Sequence, residues 1–158
     1  MIKWAISIKL IAFLMRFTTQ GVTENNKNDL VEDAMELFYK STRDDNVKVT
    51  ASKAILKGLA DDGGLFVPES IPVLDKSFEE LSKLSYGEVA YEVMKLFFTD
   101  FTEEELKNCI ANAYDSKFDT PEIAPLVKAD GAYFLELFHG ATIAFKDMAL
   151  SILPHLMT

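Results

Sequence analysis

The chain has 158 residues, of which 49% are hydrophobic, and its formal net charge is −9. A chain of this length can bury one core of ordinary size, so we expect one small domain at most. The acidic balance argues against nucleic-acid binding, which depends on cationic contacts with phosphate. The single cysteine, Cys109, excludes an internal disulfide and a thiolate zinc site, and His139 and His155 are too far apart in sequence to predict a metal site. These features predict a cytoplasmic protein without a structural metal.

Residues 1–17 form an apolar, weakly basic segment that is followed by a polar stretch. Lys9 interrupts the apolar run, and the uninterrupted part from Leu10 to Met15 is shorter than the ~7–15 residues of a signal-peptide core. It is also shorter than the ~20 apolar residues that cross a bilayer. We therefore expect neither export nor membrane anchoring.

Residues 1–34 are interpreted as a leader that precedes a native start at Met35. The codons of Val31, Glu32 and Asp33 can read as a purine-rich sequence of the ribosome-binding kind. If the leader is translated, its apolar face is either an aggregation-prone surface or a partner surface. An N-terminal peptide from upstream of Met35 in the cellular protein would contradict this interpretation.

The first elements expected after the leader are a short strand, a helix and an edge segment. The pattern from Phe38 to Arg43 predicts the strand, and Thr50 can cap the helix. The apolar stripe of that helix is formed by Ala54, Ile55, Leu56 and Leu59. The Asp-Asp-Gly-Gly sequence at residues 61–64 ends it. Leu65 to Val67 is short and close to a proline, so it is either an edge strand or an extended loop.

Three helices are predicted next, two of them with identifiable starts. Phe78 to Leu84 gives one or two amphipathic turns. Residues 85–88, Ser-Tyr-Gly-Glu, fit a capping box that opens a helix through about Phe98. Residues 102–105, Thr-Glu-Glu-Glu, form a second capping box. The helix that it opens has one apolar face, formed by Leu106, Cys109, Ile110 and Ala113.

The last third of the chain begins with an extended connector between Pro121 and Pro125. Leu126 to Lys128 can then pair with Tyr133 to Leu137 across a turn at residues 129–131, Ala-Asp-Gly. Aspartate and glycine in the turn are typical of a β-hairpin.

The second strand of this hairpin leads into residues 138–147, with the sequence FHGATIAFKD. We expect Thr142 to cap a helix that carries Lys146, and Pro154 to bend or end that helix. A strand followed by a glycine turn and a helix places Lys146 just beyond a strand end. Open α/β sheets usually bind their ligands there.

Lys146 carries the side chain in this segment that is suited to covalent chemistry. An amine that loses hydration among Phe138, Phe145 and Met148 is shifted towards its neutral form, and a neutral amine adds to an aldehyde carbonyl. Lysines on amphipathic helices more often extend their ammonium group to water. The residues by themselves therefore leave both a structural and a reactive lysine open.

The ten residues FHGATIAFKD resemble the F-H-G-P-T-x-A-F-K-D signature of threonine synthases. Ala141 stands where the family usually has proline, which loosens the backbone of the turn but does not touch the reactive amine. Tyr39 to Arg43 is similar to the strand that opens the family, and residues 54–69 are similar to its G-L-A-x-D-G-G-L-F-V-P block. The three motifs stand in the family's order.

The resemblance implies an enzyme that uses pyridoxal 5'-phosphate and converts O-phospho-L-homoserine and water to L-threonine and phosphate. In the family the lysine of the signature holds the cofactor as an imine, and Lys146 is the matching residue. The expected cofactor-binding residues are Lys146, Phe145 and Asp147. The expected substrate-binding residues are Ser41, Thr42, Arg43, His139 and Thr142.

Several of these roles have a structural alternative. The charge of Asp147 equally suits the positive N-terminus of a helix, and His139 can stabilise the turn instead of touching a ligand. Residues 41–43 can be no more than a strand end. We expect no metal ligand among these residues.

The resemblance also implies the fold class. We expect an α/β protein, mixed α+β in this portion, that forms the N-terminal part of a two-domain fold type II enzyme and is helix-rich with a few short strands. Residues 1–34 would be the leader, residues 35–125 the N-terminal helical domain, and residues 126–158 the start of the cofactor-binding α/β domain.

The phosphate-binding glycine loop of the family comes after the lysine helix, and no comparable glycine run follows Lys146 in these 158 residues. We therefore expect this portion to need the C-terminal domain of the enzyme as its partner, and to be inactive alone. The alternative is a non-catalytic remnant or interaction module, and a further one is a different phosphate-eliminating lyase of the same family. Neither nucleic acid nor membrane is expected as a partner.

Overall fold

The computed structural model describes residues 36–157, so the predicted leader lies outside the described residues. The strands are β1 (Tyr39–Ser41), β2 (Phe66–Pro68), β3 (Leu126–Ala129) and β4 (Ala132–Leu135). The helices are α1 (Ala51–Lys57), α2 (Phe78–Leu81), α3 (Tyr86–Met94), α4 (Glu103–Ala113), α5 (Asp147–Leu150) and α6 (Leu153–Leu156). The chain order is β1-α1-β2-α2-α3-α4-β3-β4-α5-α6. The mixture of helices and short strands confirms the predicted fold class.

The predicted first strand and edge segment pair with each other. β1 and β2 form an antiparallel two-stranded sheet in which Tyr39 lies opposite Pro68 and Ser41 lies opposite Phe66. Tyr39 also bridges to Val49. Pro68 is tolerated because it ends a strand at the edge of a small sheet. The edge-strand alternative for this segment is therefore confirmed, and β1 is shorter than predicted.

The predicted hairpin is present with a tighter turn than expected. β3 and β4 are antiparallel, and Ala129 pairs with Ala132. Asp130 and Gly131 form the turn, with φ angles of 49° and 79°. Two consecutive positive φ angles define a type I′ turn, whose twist matches that of the flanking strands. The three-residue turn that we predicted was wrong, because Ala129 belongs to the strand.

Capping boxes start α2, α3 and α4. In α4 the backbone N–H and the hydroxyl of Thr102 donate to the Glu105 carboxylate at 2.8 Å and 2.7 Å. Ser85 and Glu88 repeat this arrangement at the start of α3, so both predicted boxes are confirmed. The α3 helix ends at Met94 instead of near Phe98, because the chain continues in tighter turns with i→i+3 hydrogen bonds.

Helix α1 differs from prediction at both ends. Thr50 holds the N-cap position, but its side chain makes no capping hydrogen bond. Instead the Asp100 carboxylate accepts from the Ser52 N–H at 3.0 Å, so a residue distant in sequence satisfies the first turn. The helix ends before Gly58, whose φ of 73° favours glycine, and not at residues 61–64 as we predicted.

The C-terminal segment is two short helices and not the single helix that we predicted from Thr142. α5 has four residues, and α6 begins at Leu153 with Pro154 in its first turn. Proline is tolerated there because its missing N–H has no helical partner at that position. Pro154 therefore begins a helix, whereas we expected it to bend or end one.

The main core lies where α4 meets α3 and α6. The apolar face of α4 is buried as predicted, with Leu106 1% exposed, Ile110 4% exposed and Ala113 fully buried. Ala90, Ile152 and Leu156 pack against this face. A smaller cluster contains Leu81 and Val89.

No helix within residues 36–157 is long and apolar enough to span a membrane. The same residues contain no group of three or more histidine, cysteine, aspartate or glutamate side chains arranged to hold a metal ion.

Replacing Leu106 by alanine should lower the free energy of unfolding by about 2–5 kcal/mol, because it empties a buried site at the centre of the core. Leu56→Ala is the matched control. Leu56 is 61% exposed, so its truncation should change stability by no more than about 0.5 kcal/mol. Urea unfolding of the two variants measures the difference, and equal losses would contradict the assignment of the core.

Candidate functional site

The sequence motif that contains Lys146 forms a closed turn after β4. Two backbone hydrogen bonds hold its entry: the Glu136 N–H donates to the Pro125 carbonyl and the Asp119 N–H donates to the His139 carbonyl, both at 3.0 Å. These two bonds fix the position of the start of the motif relative to the residues that precede the hairpin.

Asp147 lies at the centre of this turn and is only 5% exposed. Its carboxylate accepts from the backbone N–H of Thr142 at 2.7 Å and from the Thr142 hydroxyl at 2.5 Å. The hydrogen bond from the Thr142 hydroxyl holds the pKa of Asp147 below its usual range, although burial acts in the opposite direction. The carboxylate is thus ionised and bound within the turn at neutral pH.

Gly140 allows the close approach of Asp147. A Cβ atom at position 140 would lie 2.5 Å from the Asp147 Cβ, a distance that real Cβ atoms do not tolerate. The turn also contains Ile143 with a φ of 59°, an uncommon conformation for a β-branched residue. A small residue and a strained residue are therefore both parts of this turn.

The predicted role of Thr142 as a helix cap was wrong. α5 begins at Asp147, and Lys146 holds the N-cap position. Thr142 instead directs its hydroxyl to the carboxylate of Asp147, because the left-handed residue at position 143 bends the chain before a helix can start.

Lys146 is exposed, and so are two of the three residues that we expected to desolvate it. Phe145 is 76% exposed and Phe138 is 49% exposed. The backbone turns Asp147 inward and leaves Phe145 and Lys146 outward. The expected desolvation of the amine among Phe138, Phe145 and Met148 is therefore not found in the described residues.

His139 has a carboxylate partner on each ring nitrogen. Nε2 lies 2.9 Å from a Glu136 oxygen and Nδ1 lies 2.5 Å from an Asp119 oxygen. The hydrogen bond to Glu136, together with the contact to Asp119, raises the pKa of His139. The ring also stacks on Phe138, with 4.7 Å between centroids. These contacts match the turn-stabilising alternative for His139.

A second group of candidate residues lies at the end of β1. Ser41 is 1% exposed, and its hydroxyl lies 2.9 Å and 2.8 Å from the two carboxylate oxygens of Asp62. The Gly64 N–H donates to the same carboxylate at 2.7 Å, and this bond is the main reason that the pKa of Asp62 is lowered. A Cβ atom at position 64 would lie 2.1 Å from the Ser41 hydroxyl, so glycine is required. Ser41 therefore orders the loop before β2.

Thr42 and Arg43 are exposed, unlike Ser41. The Thr42 hydroxyl accepts from the Leu65 N–H at 3.0 Å, and the Arg43 guanidinium donates to the Asp62 carbonyl at 3.0 Å. Both residues present polar groups at the surface while they brace the loop.

The structure brings the candidate residues together in two groups. Thr142, Phe145, Lys146 and Asp147 share one turn, and His139 directly precedes it. The hydrogen bonds of residues 41–43 lead instead to the loop at residues 62–65.

Sequence reasoning missed the structural parts played by Asp62 and Asp119. The Asp-x-Gly spacing at residues 62–64, typical of an Asx-turn, was a usable signal for the first of these.

Two open grooves, of about 470 Å³ and about 500 Å³, lie elsewhere among the described residues. The first is lined by residues of α1, α4 and α6, among them Cys109 and His155. Burial raises the pKa of the Cys109 thiol, which makes it a poor nucleophile. The second groove includes Tyr91 and Lys107. Lys146 lines neither of these two grooves and lies on an exposed turn.

Comparison with known proteins agrees with the motifs. Residues 38–114 match the family model described as the N terminus of threonine synthase. The threonine synthase of Saccharomyces cerevisiae is 40% identical over 128 residues, which cover 75% of this chain and 25% of that relative. The chain thus spans about a quarter of the length of the curated relatives that it matches.

Solved structures give the same result for the fold. The crystal structure of threonine synthase from yeast matches with a TM-score of 0.69 and 39% identity, over 75% of this chain and 25% of that one. A structure of threonine synthase from Brucella melitensis, described as bound to pyridoxal phosphate, matches with a TM-score of 0.67 and 36% identity, over 77% and 26% of the two chains.

The fold corresponds to the N-terminal part of a two-domain enzyme, as predicted. The family is threonine synthase, and this chain carries the family's N-terminal region.

The raised pKa of His139 predicts a pH-dependent contribution to stability. A histidine with a raised pKa stabilises the fold fully below its unfolded pKa of about 6.5, and the stabilisation is lost as the pH rises through the folded pKa. The loss in free energy of unfolding on His139→Gln should therefore be largest below about pH 6 and should shrink at higher pH. Urea unfolding over this pH range measures it.

His155→Gln is the matched control, because it changes the other histidine and leaves Glu136 and Asp119 in contact with His139. A difference between wild type and His139→Gln that stayed constant with pH would show that the ion pairs do not form.

Proposed function

We propose that this chain supplies the N-terminal part of a threonine synthase, which converts O-phospho-L-homoserine and water to L-threonine and phosphate with pyridoxal 5'-phosphate. The observation that carries the proposal is the exposed primary amine of Lys146, placed in the family's signature on a closed turn. The similarity of the surrounding chain to threonine synthases supports it.

The residues of the turn suit the attachment of an aldehyde cofactor. Lys146 is accessible, and the exposed ring of Phe145 lies next to it in the chain. An apolar ring beside the amine can cover one side of a bound cofactor and, once the site is closed, can exclude water from it. The donors of a phosphate cradle would come from outside these residues.

Pyridoxal phosphate supplies an electron sink that stabilises negative charge on an amino-acid substrate. In the proposed enzyme, Nζ of Lys146 would hold the cofactor. The amine of Lys146 would also be the base that moves protons at Cα and Cβ of the substrate. This makes Lys146 both the attachment point and the base, in a reaction of the lyase class.

Thr42 and Arg43 are proposed to contact the substrate, because hydroxyl and guanidinium groups at a surface suit a phosphate ester. Ser41 is buried against Asp62 and would act by shaping their loop. Bringing these residues to Lys146 would require the rest of the enzyme.

Large apolar side chains are exposed along the hairpin and the segment after it. Those at least 37% exposed are Val127, Tyr133, Phe134, Phe138, Ile143, Phe145, Leu150, Leu153 and Met157. Monomeric soluble proteins rarely expose large apolar patches. We propose that this surface contacts the remaining three quarters of the enzyme, with residues up to 125 in a helical domain and the hairpin beginning the cofactor-binding domain.

The same apolar surface favours one alternative, a non-catalytic remnant or interaction module that uses it to bind another protein. In both cases the chain alone would be inactive. The two proposals differ in whether Lys146 matters once the rest of a threonine synthase is supplied.

A graft tests the proposal directly. Residues 36–157 would replace the matching quarter of Saccharomyces cerevisiae threonine synthase, in a strain that lacks its own enzyme. We expect growth without threonine from the graft and none after Lys146→Ala. In the purified graft, Lys146→Ala should lower kcat/KM at least about 100-fold, since proton-transferring side chains contribute at least that much.

Lys128→Ala is the matched control, because Lys128 is another exposed lysine, on the hairpin, outside the motif. It should leave growth unchanged. A soluble graft without activity would favour the non-catalytic alternative, and growth of the Lys146→Ala graft would refute the role of the lysine.

The chain by itself should bind pyridoxal phosphate weakly and without selectivity, because an exposed amine on a turn offers no phosphate cradle. Absorbance titration with wild type and Lys146→Ala measures this. Tight binding with one cofactor per chain, abolished by the substitution, would show that a complete cradle exists within these residues.

A further inference from the structure

We infer that Asp147 is a positioning residue for Lys146: its buried carboxylate closes the turn at residues 140–147 through Thr142, and neither Asp147 nor Thr142 contacts the cofactor or the substrate. The importance of Lys146 rests on the proposed function, whereas the closure of the turn does not. This replaces the cofactor and substrate contacts that the sequence suggested for these two residues.

The hydrogen bonds of Asp147 leave it poorly suited to bind a ligand. One carboxylate oxygen accepts from the Thr142 N–H at 2.7 Å and the other from the Thr142 hydroxyl at 2.5 Å. The side chain is buried at 5% exposure, next to the exposed Lys146. Turning the carboxylate towards a ligand would break two charge-assisted hydrogen bonds from Thr142.

The turn needs internal hydrogen bonds because its backbone is strained at one residue. Ile143 has a φ of 59°, and such a conformation persists only where the surrounding structure holds it. Gly140 lies so close to Asp147 that no other residue fits without displacing it. The side chain of Asp147 thus both accepts the hydrogen bonds that close the turn and lies against Gly140.

Both ends of the turn are anchored to the rest of the described chain. The Asp119 N–H donates to the carbonyl of His139 at 3.0 Å before the turn, and the Tyr114 hydroxyl donates to the carbonyl of Met148 at 2.8 Å after it. Loss of the Asp147 contacts would therefore release the segment between these anchors. That segment contains Lys146.

Electrostatic stabilisation of a helix N-terminus does not account for the position of the Asp147 carboxylate. α5 has four residues, so few peptide dipoles align behind its first turn. The carboxylate accepts from Thr142 and from the backbone N–H of Ala144, and both residues precede the helix. The carboxylate closes a loop.

Amide hydrogen exchange of the full chain tests this closure without any cofactor. Asp147→Asn keeps the shape of the side chain but removes its charge and one acceptor. We expect exchange in residues 141–146 to become about tenfold faster, as the loss of a charge-assisted hydrogen bond implies. Unchanged exchange would overturn the inference whatever the fate of the proposed function.

Glu105→Gln is a closely matched control. Glu105 also accepts from the N–H and the hydroxyl of one threonine, Thr102, at 2.8 Å and 2.7 Å. Its replacement should speed exchange at the start of α4 and leave residues 141–146 unaffected. A second pair of variants covers the case in which Asp147→Asn does not fold. Thr142→Val removes the hydroxyl and should speed exchange, whereas Thr142→Ser keeps both donors and should not.

The effect on Lys146 is measured in the grafted enzyme with pyridoxal phosphate and borohydride. Thr142→Val should slow trapping of the label on Lys146, and Thr142→Ser should restore it, with Lys128 as the internal reference. Faster exchange with unchanged trapping would limit Asp147 to a structural role and overturn its positioning role. A third result is that the variants exchange faster but Lys146 is not labelled even in the unsubstituted graft. This result would refute the proposed function and confirm only the closure of the turn.

Discussion

The packing of α4 against α3 and α6 is the contact on which the rest of the described structure depends. Leu106, Ile110 and Ala113 bury one face of α4 almost completely. The hydrophobic effect is non-directional, so it does not fix how the C-terminal segment lies on this helix. Two polar contacts do so. The Cys109 thiol donates to the carbonyl of His155 at 3.1 Å, and the hydroxyl of Tyr114, which follows α4, reaches the segment at Met148. α4 therefore organises the core and also holds the segment that carries Lys146.

The two groups of candidate residues are built by the same physical device. At each, an aspartate accepts from a hydroxyl side chain, as Asp62 does from Ser41 and Asp147 from Thr142. At each, a glycine lies where a Cβ atom would collide with the pair. Short-range polar contacts of this kind give order to segments that have little helix or sheet.

Part of the acidic composition serves local structure. Glu80, Glu88 and Glu105 are the acidic partners of three capping boxes, and hydrogen bonds from the N-cap residues lower the pKa of each. Lysines lie close to other acidic residues, for example Lys107 to Glu103. Carboxylates near helix N-termini are favourable because they satisfy N–H groups that have no helical partner. These three of the 25 acidic residues therefore serve the starts of helices.

The sequence by itself determined the features whose signals are local. The capping boxes at residues 85–88 and 102–105, the buried face of α4, the hairpin and the family motifs could all be predicted, because each depends on residues a few positions apart. Tertiary structure decided the rest: the cap of α1 by Asp100, the break between α5 and α6, and the outward position of Lys146 beside an inward Asp147. These depend on partners distant in sequence or on a strained backbone angle. No periodicity or spacing encodes which of two neighbouring side chains the fold will bury.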